Sequence, residues 1–289
     1  MSTATLLPPA PTARKRSWLA NWSRAGKLGL AVIAFWAAIA LVAPFLPASA
    51  LGEMSDTGVF DGISAQHWLG TDYLGRDMLV RIVAGTPYTI GVALVATLLA
   101  CTFGAVLGLL AAVAGGWLDQ VLSRFLDTLI SIPSKMLSLV IIAGFGSSVP
   151  LLIAVATIVY TPGCYRIVRS LALNINAMDY VVVARARGER RPYIMRREIL
   201  PNIVGPLLAD MGLRFVYALR LLASLSFLGL GVQPPMADWG SLVRENLGAL
   251  PMGGVAVIAP ALAIATLTIA VTLIIDNLPG HTDADRETH

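Results

Sequence analysis

The stretch IVAGTPYTIGVALVATLLACTFGAVLGLLAAVAGGWL, Ile82–Leu118, runs for 37 residues without an Asp, Glu, Lys or Arg. A hydrocarbon core of about 30 Å takes roughly 20 helical residues at about 1.5 Å each. The stretch is therefore too long for one crossing and slightly short for two. It predicts one long membrane helix over 87–114 flanked by interfacial turns, with Gly115 and Gly116 ending it.

On the amino-terminal side, Leu28–Leu46 supplies 19 uncharged residues, enough for a first span. Ala48 and Ala50 form a small-residue pair of the kind that precedes signal cleavage, but the apolar run exceeds the roughly 7 to 15 residues of a signal core, so the segment is expected to be retained. On the carboxy-terminal side, the uncharged run Met136–Tyr165 accommodates two helices only if the earlier one starts near Val121. That third span would take Arg124, Asp127 and Lys135 into or near the membrane, with Pro133 as a local kink, and the fourth would cover Pro150–Tyr165. A fifth span, with Arg214 and Arg220, runs from Pro201 to about Gly229, and a sixth from Gly254 to Ile275.

The composition of the 289 residues agrees: 56% hydrophobic, 13% charged, mean hydropathy +0.74. These values exclude an ordinary soluble domain and leave no room for a large catalytic one. The expected architecture is an all-α polytopic membrane protein with six transmembrane helices and short cytoplasmic helices.

Charge placement orients it. The arm 1–27 holds five basic residues and no acid, and 166–198 holds eight arginines, whereas the intervening outer segments hold two, none and one. Basic residues concentrate on the cytoplasmic side of short loops, so both termini are expected there. The resulting organisation is a basic arm (1–27), a membrane domain (28–276) with outer loops 47–86 and 230–253 and an arginine-rich inner loop 166–199, and a tail (277–289). The net charge of +4 follows from that distribution and calls for no nucleic acid.

No phosphate-binding loop, nucleophile elbow or zinc-protease motif is present. Cys101 and Cys164, each in an apolar stretch, read as packing residues, and His67, His281 and His289 are scattered. No metal site is expected. The informative segment is Asp179-Tyr-Val-Val-Val-Ala-Arg-Ala-Arg-Gly188 followed by Ile199-Leu-Pro-Asn202. Small Ala184 and Ala186, a turn at Gly188 and a helix start at Pro201 describe a short helix, a turn and re-entry into the membrane, a shape that can fill a groove on a partner.

Three stretches together resemble the inner-membrane permease subunits of ABC importers of the dipeptide, oligopeptide and nickel family, specifically the second permease of the pair. They are His67-Trp-Leu-Gly-Thr-Asp-Tyr-Leu-Gly-Arg-Asp77, the 179–202 segment, and Ser226-Phe-Leu-Gly-Leu-Gly-Val-Gln-Pro-Pro235 with Asp238-Trp-Gly240. The resemblance implies a type I ABC importer permease fold and a non-catalytic subunit of a bacterial inner membrane. It further implies a heterodimer with a homologous permease, two ATPases that bind ATP and Mg, and an external solute-binding protein. Asp179, Tyr180, Ala184, Arg185, Ala186, Gly188, Leu200 and Pro201 would couple to an ATPase, with Pro162, Gly163 and Pro201 as hinges. The family's coupling glutamate is missing: Val182, Val183 and Ala184 stand where relatives carry Glu-Ala-Ala.

Arg214, Arg220, Asp127 and Lys135 are expected to border the translocation path or to pair with one another, because an ionised group near the bilayer centre needs an interior or aqueous setting. Trp68, Asp72, Arg76, Asp77 and Trp239 are candidate outer-loop contacts. Peptides are the expected cargo. Nickel or another metal chelate, and an ion-coupled secondary carrier, are the competing readings; the second would require internal repeats and acidic ion sites.

Overall fold

A computed structural model describes residues 23–45 and 58–277. Most of the basic arm with Trp18 and Trp22, residues 46–57 of the first outer loop, and the tail after 277 lie outside the described residues. Nine helices of seven residues or more organise the described part: α1 (Arg24–Val42), α2 (Met78–Ala114), α3 (Gly116–Ser131), α4 (Ser134–Phe145), α5 (Val149–Asn176), α6 (Asp179–Ala186), α7 (Leu200–Phe227), α8 (Trp239–Glu245) and α9 (Val255–Ile275). A helical lead-in, Arg191–Tyr193, and a π-helical stretch, Ile194–Ile199, run into α7.

Five of these helical segments are long and apolar enough to cross a bilayer, and α3 and α4 reach that length and apolarity together, bent by 87° where they meet. The direction of the chain shows what the bent pair does. Along α2 and α5 the neighbours advance together: the Thr157 hydroxyl donates to the Ala96 carbonyl (3.4 Å), Cys164 approaches Cys101, and Asn176 Nδ2 donates to the Ala112 carbonyl (3.1 Å). The two helices are parallel, so α3 and α4 must return the chain across the same thickness.

Close approach of α2 and α5 rests on Gly104-Ala-Val-Leu-Gly108, a small-xxx-small pattern that lets helix backbones meet in a membrane. A Cβ at Gly104 would stand 2.6 Å from the Cys164 Cβ, and one at Gly108 would stand 2.9 Å from the Tyr165 carbonyl oxygen. The same device seats α1 on α9, where a Cβ at Gly29 would come 2.7 Å from the Ala270 carbonyl. Trp36 then reaches Thr266 through its indole N–H (3.2 Å).

Several expected boundaries change. The second helix starts at Met78 rather than Pro87, because the Asp77 carboxylate caps it by accepting the Val80 N–H (3.1 Å), and Pro87 sits inside the helix. The loop expected outside therefore ends near residue 77, not 86. The third span starts at Gly116 and breaks at Ile132–Pro133 instead of merely kinking. The fourth continues through Pro162 to Asn176, which puts Arg166 and Arg169 on a helix rather than in the inner loop. Salt bridges hold that extension to α3, Arg169 to Asp119 at 2.5 Å and Arg166 to Asp127 at 2.7 Å. The loop 230–253 contains α8 and a 3-10 turn, Leu247–Met252.

Helix α8 closes one end of the bundle. Its N-cap, Asp238, accepts the Gly240 and Ser241 N–H groups on Oδ1 (2.8 and 3.1 Å) and the Ser226 hydroxyl and Val232 N–H on Oδ2 (2.7 and 3.2 Å). Burial pushes this carboxyl above the usual aspartate range, and the four donors oppose that shift. Trp239, 0% exposed, donates its indole N–H to the Ile82 carbonyl (3.1 Å) and its main-chain N–H to Thr89 (2.9 Å). The motif Asp238-Trp-Gly240 thus pins α8 onto α2.

Two substitutions test these junctions. Gly104→Val should overpack the α2–α5 seam by about 1–3 kcal/mol, lowering the thermal midpoint of the detergent-purified chain, whereas Gly91→Ala, where a Cβ meets nothing within 4 Å, should leave it unchanged. Asp238→Ala leaves four donors without their acceptor. At about 1–3 kcal/mol for each buried group left unpaired, it should lose monodispersity on size exclusion, and Asp238→Asn, which keeps an acceptor oxygen, should retain more of it.

Candidate translocation cavities and coupling loop

The bend at Ile132–Pro133 turns the start of α4 toward α5 and α7. Ser134 and Lys135 there meet Tyr160 of α5 and Tyr217, Arg220, Leu221 and Ser224 of α7 around a cavity of about 270 Å³. Tyr160 donates its hydroxyl to the Tyr217 carbonyl (2.8 Å), and the two rings stack with centroids 6.4 Å apart. A second cavity of about 490 Å³ shares Lys135 and Ser224 and extends past Phe227 to Gly240 and Ile264. A third, of about 340 Å³, shares Ser134 and Tyr160 and extends to Gly163, Arg166 and Arg214. The shared residues link the three into a trough along α4, α5 and α7, and among the described residues no acid lines any of them.

The four charged residues expected near a path divide. Lys135 and Arg220 line the central cavity. Arg214, by contrast, is neutralised: its guanidinium grips Asp210 at 2.6 and 2.9 Å and donates to the Tyr160 carbonyl (3.1 Å), so it reaches the third cavity already paired. The absence of a side chain at Gly163 makes room for it, since a Cβ there would lie 2.6 Å from Arg214 Nη1. Asp127 pairs with Arg166, not with Lys135 or Arg214. Asp210 stands in no motif, and its signal in the sequence is the i, i+4 spacing to Arg214, which marks the pair as same-face helix neighbours. Tyr160, Tyr217 and Ser224 carry no sequence signal that separates them from ordinary packing residues.

At the arginine-rich end, α6 packs Val181 in one buried cluster with Ile194 and Ile199, and Ala184 is buried on the same helix. The opposite face exposes Tyr180, Val182, Val183 and Arg187. Gly188 turns the chain at φ +86°, a conformation that favours glycine. Arg185 bonds the Asn176 side chain, and Asn202 Nδ2 donates to the Tyr180 hydroxyl (3.3 Å), tying both ends of the elbow to the helices they join. Asp179 opens α6 and Ala186 closes it, while Leu200 and Pro201 form the first turn of α7. Pro162 and Gly163 lie within uninterrupted helix.

The outer-loop candidates form an internal network. Asp72, 0% exposed, accepts from the main chain of Leu74 and Arg76 (2.9 Å each) and from Arg76 Nε (2.8 Å). Arg81 lies 3.7 Å from the same carboxylate and 3.4 Å from Glu245, whose carboxyl is pushed up by burial. His67 meets Asp77 at 2.9 Å. Of the expected surface contacts only Trp68, 69% exposed, is open; Asp72 and Trp239 are interior, because each satisfies buried groups that would otherwise lack a partner.

Cys101 and Cys164, expected to be packing residues, are both buried and face each other across the α2–α5 seam, where the Cys164 thiol points at the Cys101 carbonyl (3.6 Å).

The chain is 34% identical to the dipeptide transport system permease protein DppC of Alkalihalophilus pseudofirmus, over 87% of this chain and 83% of the relative. It is 33% identical to the glutathione transport system permease protein GsiD of Pectobacterium atrosepticum, over 86% and 81%, and 31% identical to the DppC of Haemophilus influenzae, over 89% of each. A solved amino acid ABC transporter, crystallised with histidines, shares 20% identity at a TM-score of 0.45, covering 66% of this chain and 92% of the other. The family model for binding-protein-dependent transport system inner membrane components matches residues 104–282. With that match and these relatives, the chain belongs to the family of binding-protein-dependent transport system inner membrane components.

Proposed function

We propose that this chain is one of two permease subunits of an ATP-driven importer and takes up short peptides. The observation that carries the reading is the trough along α4, α5 and α7, lined by Lys135 and Arg220 and, among the described residues, by no acid, together with the exposed apolar face of the elbow at Val182 and Val183. In this arrangement a second, homologous permease supplies the other wall. An external binding protein delivers cargo at the α8 end, and two ATPases drive the permease pair from the cytoplasm, one of them docking on α6. Both termini lie on the ATPase side, consistent with the basic arm and the arginine-rich inner loop. The chain lacks a phosphate-binding loop, so ATP and Mg are held by the partners. Relatives named for dipeptide and glutathione transport favour peptides over nickel, and the acid-free cavities offer no ion site for a gradient-driven carrier.

Mechanically, ATPase closure would push α6. Because Val181 is buried in one cluster with Ile194 and Ile199, the elbow moves as one body with the start of α7. The salt bridges of α5 to α3 transmit the same displacement to the bent pair. The docking face carries Val182 and Val183 where relatives carry a glutamate and an alanine, so its grip on the ATPase is apolar, rimmed by arginine.

Two measurements on the reconstituted importer test this. Gly188→Val has space for its side chain but forces a non-glycine residue to positive φ, at a cost of about 1–2 kcal/mol. Uptake should fall while basal ATP hydrolysis continues; uptake and binding-protein-stimulated hydrolysis both surviving would remove the coupling role. Arg220→Gln should reduce dipeptide uptake about tenfold, the equivalent of about 1.4 kcal/mol for a lost charge-assisted contact. It should leave uptake of the corresponding dipeptide amide unchanged, and equal losses for both would assign Arg220 a structural role.

A further inference from the structure

One polar cluster in the bundle takes no part in the trough or the elbow. Cys101 of α2, Cys164 of α5 and Asp210 of α7 are all buried, and each offers one ligand atom within 4.8 Å of the other two. Three separate helices therefore converge two sulfurs and a carboxylate on one point. A tetrahedral zinc ion, with bonds of about 2.3 Å to sulfur and about 2.0 Å to a carboxylate oxygen, places such atoms roughly 3.5–3.8 Å apart. The cluster reaches that spacing by small side-chain adjustments.

We propose that Cys101, Cys164 and Asp210 form a binding site for one thiophilic divalent cation of the zinc class, which pins α2, α5 and α7 together. The donor set selects the metal: two thiolates disfavour magnesium and calcium, and a carboxylate beside them suits zinc. Charge balance points the same way. Without metal, two neutral thiols stand beside the Asp210–Arg214 pair, whose charges cancel. A divalent ion that enters as both thiols release their protons to water forms two metal–sulfur bonds. The sum over the ion, two thiolates, Asp210 and Arg214 is again zero. No net charge is added to a low-dielectric interior, where it would be costly, whereas a monovalent ion with the same ligands would leave one negative charge.

Arg214 completes the site as an outer partner. A carboxylate has about four lone-pair positions, so Asp210 can accept from the Arg214 guanidinium and still ligate, and hydrogen bonding to a ligating carboxylate is the usual way its orientation is fixed. The route in is the 340 Å³ cavity, which ends on Gly163 and Arg214 beside the cluster.

The chain contains only these two cysteines, so a sulfur–metal signal has one possible origin. The full-length chain, purified without a polyhistidine tag, kept reduced with a phosphine and reconstituted in lipid nanodiscs, should be titrated with cobalt(II) and then zinc(II). The expected result is a sulfur-to-cobalt charge-transfer band saturating at one cobalt per chain, its disappearance on zinc addition, and release of two protons per ion in weak buffer. Cys101→Ser or Cys164→Ser should abolish the two-sulfur band. Asp210→Asn should keep it with affinity lowered about tenfold or more. Absence of the band in the unmodified chain, which needs no variant to fold, would overturn the proposal and leave the thiols as packing groups; so would its persistence in the double cysteine variant.

Discussion

The seam between α2 and α5 is the constraint on which the rest of the molecule depends. Two parallel helices can touch backbone to backbone only where no side chain intervenes, and Gly104 and Gly108 provide that clearance. Parallel packing then obliges the chain between them to recross the bundle. Residues 116–145 do so as two short helices meeting at 87° rather than as one rod. Neither piece is long enough alone, at about 1.5 Å per residue, to traverse about 30 Å. The break delivers Lys135 to the side of the bundle where Tyr160, Tyr217 and Arg220 already stand.

Around this seam, the chain treats its charges in two ways. Three buried carboxylates are fully engaged: Asp238 satisfies four donors, Asp72 draws on two main-chain N–H groups and an arginine, and Asp210 takes the guanidinium of Arg214. These interactions fix helix positions, as expected when an unpaired polar group in a low-dielectric interior would cost several kcal/mol. Lys135 and Arg220 instead face open cavities with no acid in the lining. The contrast between Arg214 and Arg220, six residues apart on one helix, is that between an arginine paired with Asp210 and one that lines an open cavity.

Apolar run lengths and glycine breaks marked nearly every helix, and the charge asymmetry marked the elbow; Asp179 to Gly188 folds as a short helix and a turn at positive φ, as its residues suggested. The differences arise where local rules were outvoted. Pro87 read as a helix start, but Asp77, ten residues earlier, offers a cap, and α2 tolerates the proline within. Arg166 and Arg169 read as loop residues because of their charge; Asp127 and Asp119, some 40 to 50 positions away, neutralise them and let α5 continue. Trp239 read as an outer-loop contact, yet its N–H groups find partners on α2, which draws the whole residue inward.

The sequence by itself determined that this is a polytopic helical membrane protein with an arginine-rich elbow, because hydrophobic length, charge asymmetry and glycine or proline punctuation act over a few turns of chain and need no knowledge of neighbours. Only the tertiary structure decided which charges are silenced and which face a cavity, that the third span is broken, and that Cys101, Cys164 and Asp210 meet. Those outcomes depend on pairings between residues some 40 to 110 positions apart, set by how closely the helix backbones approach, and no local pattern in the chain encodes that distance.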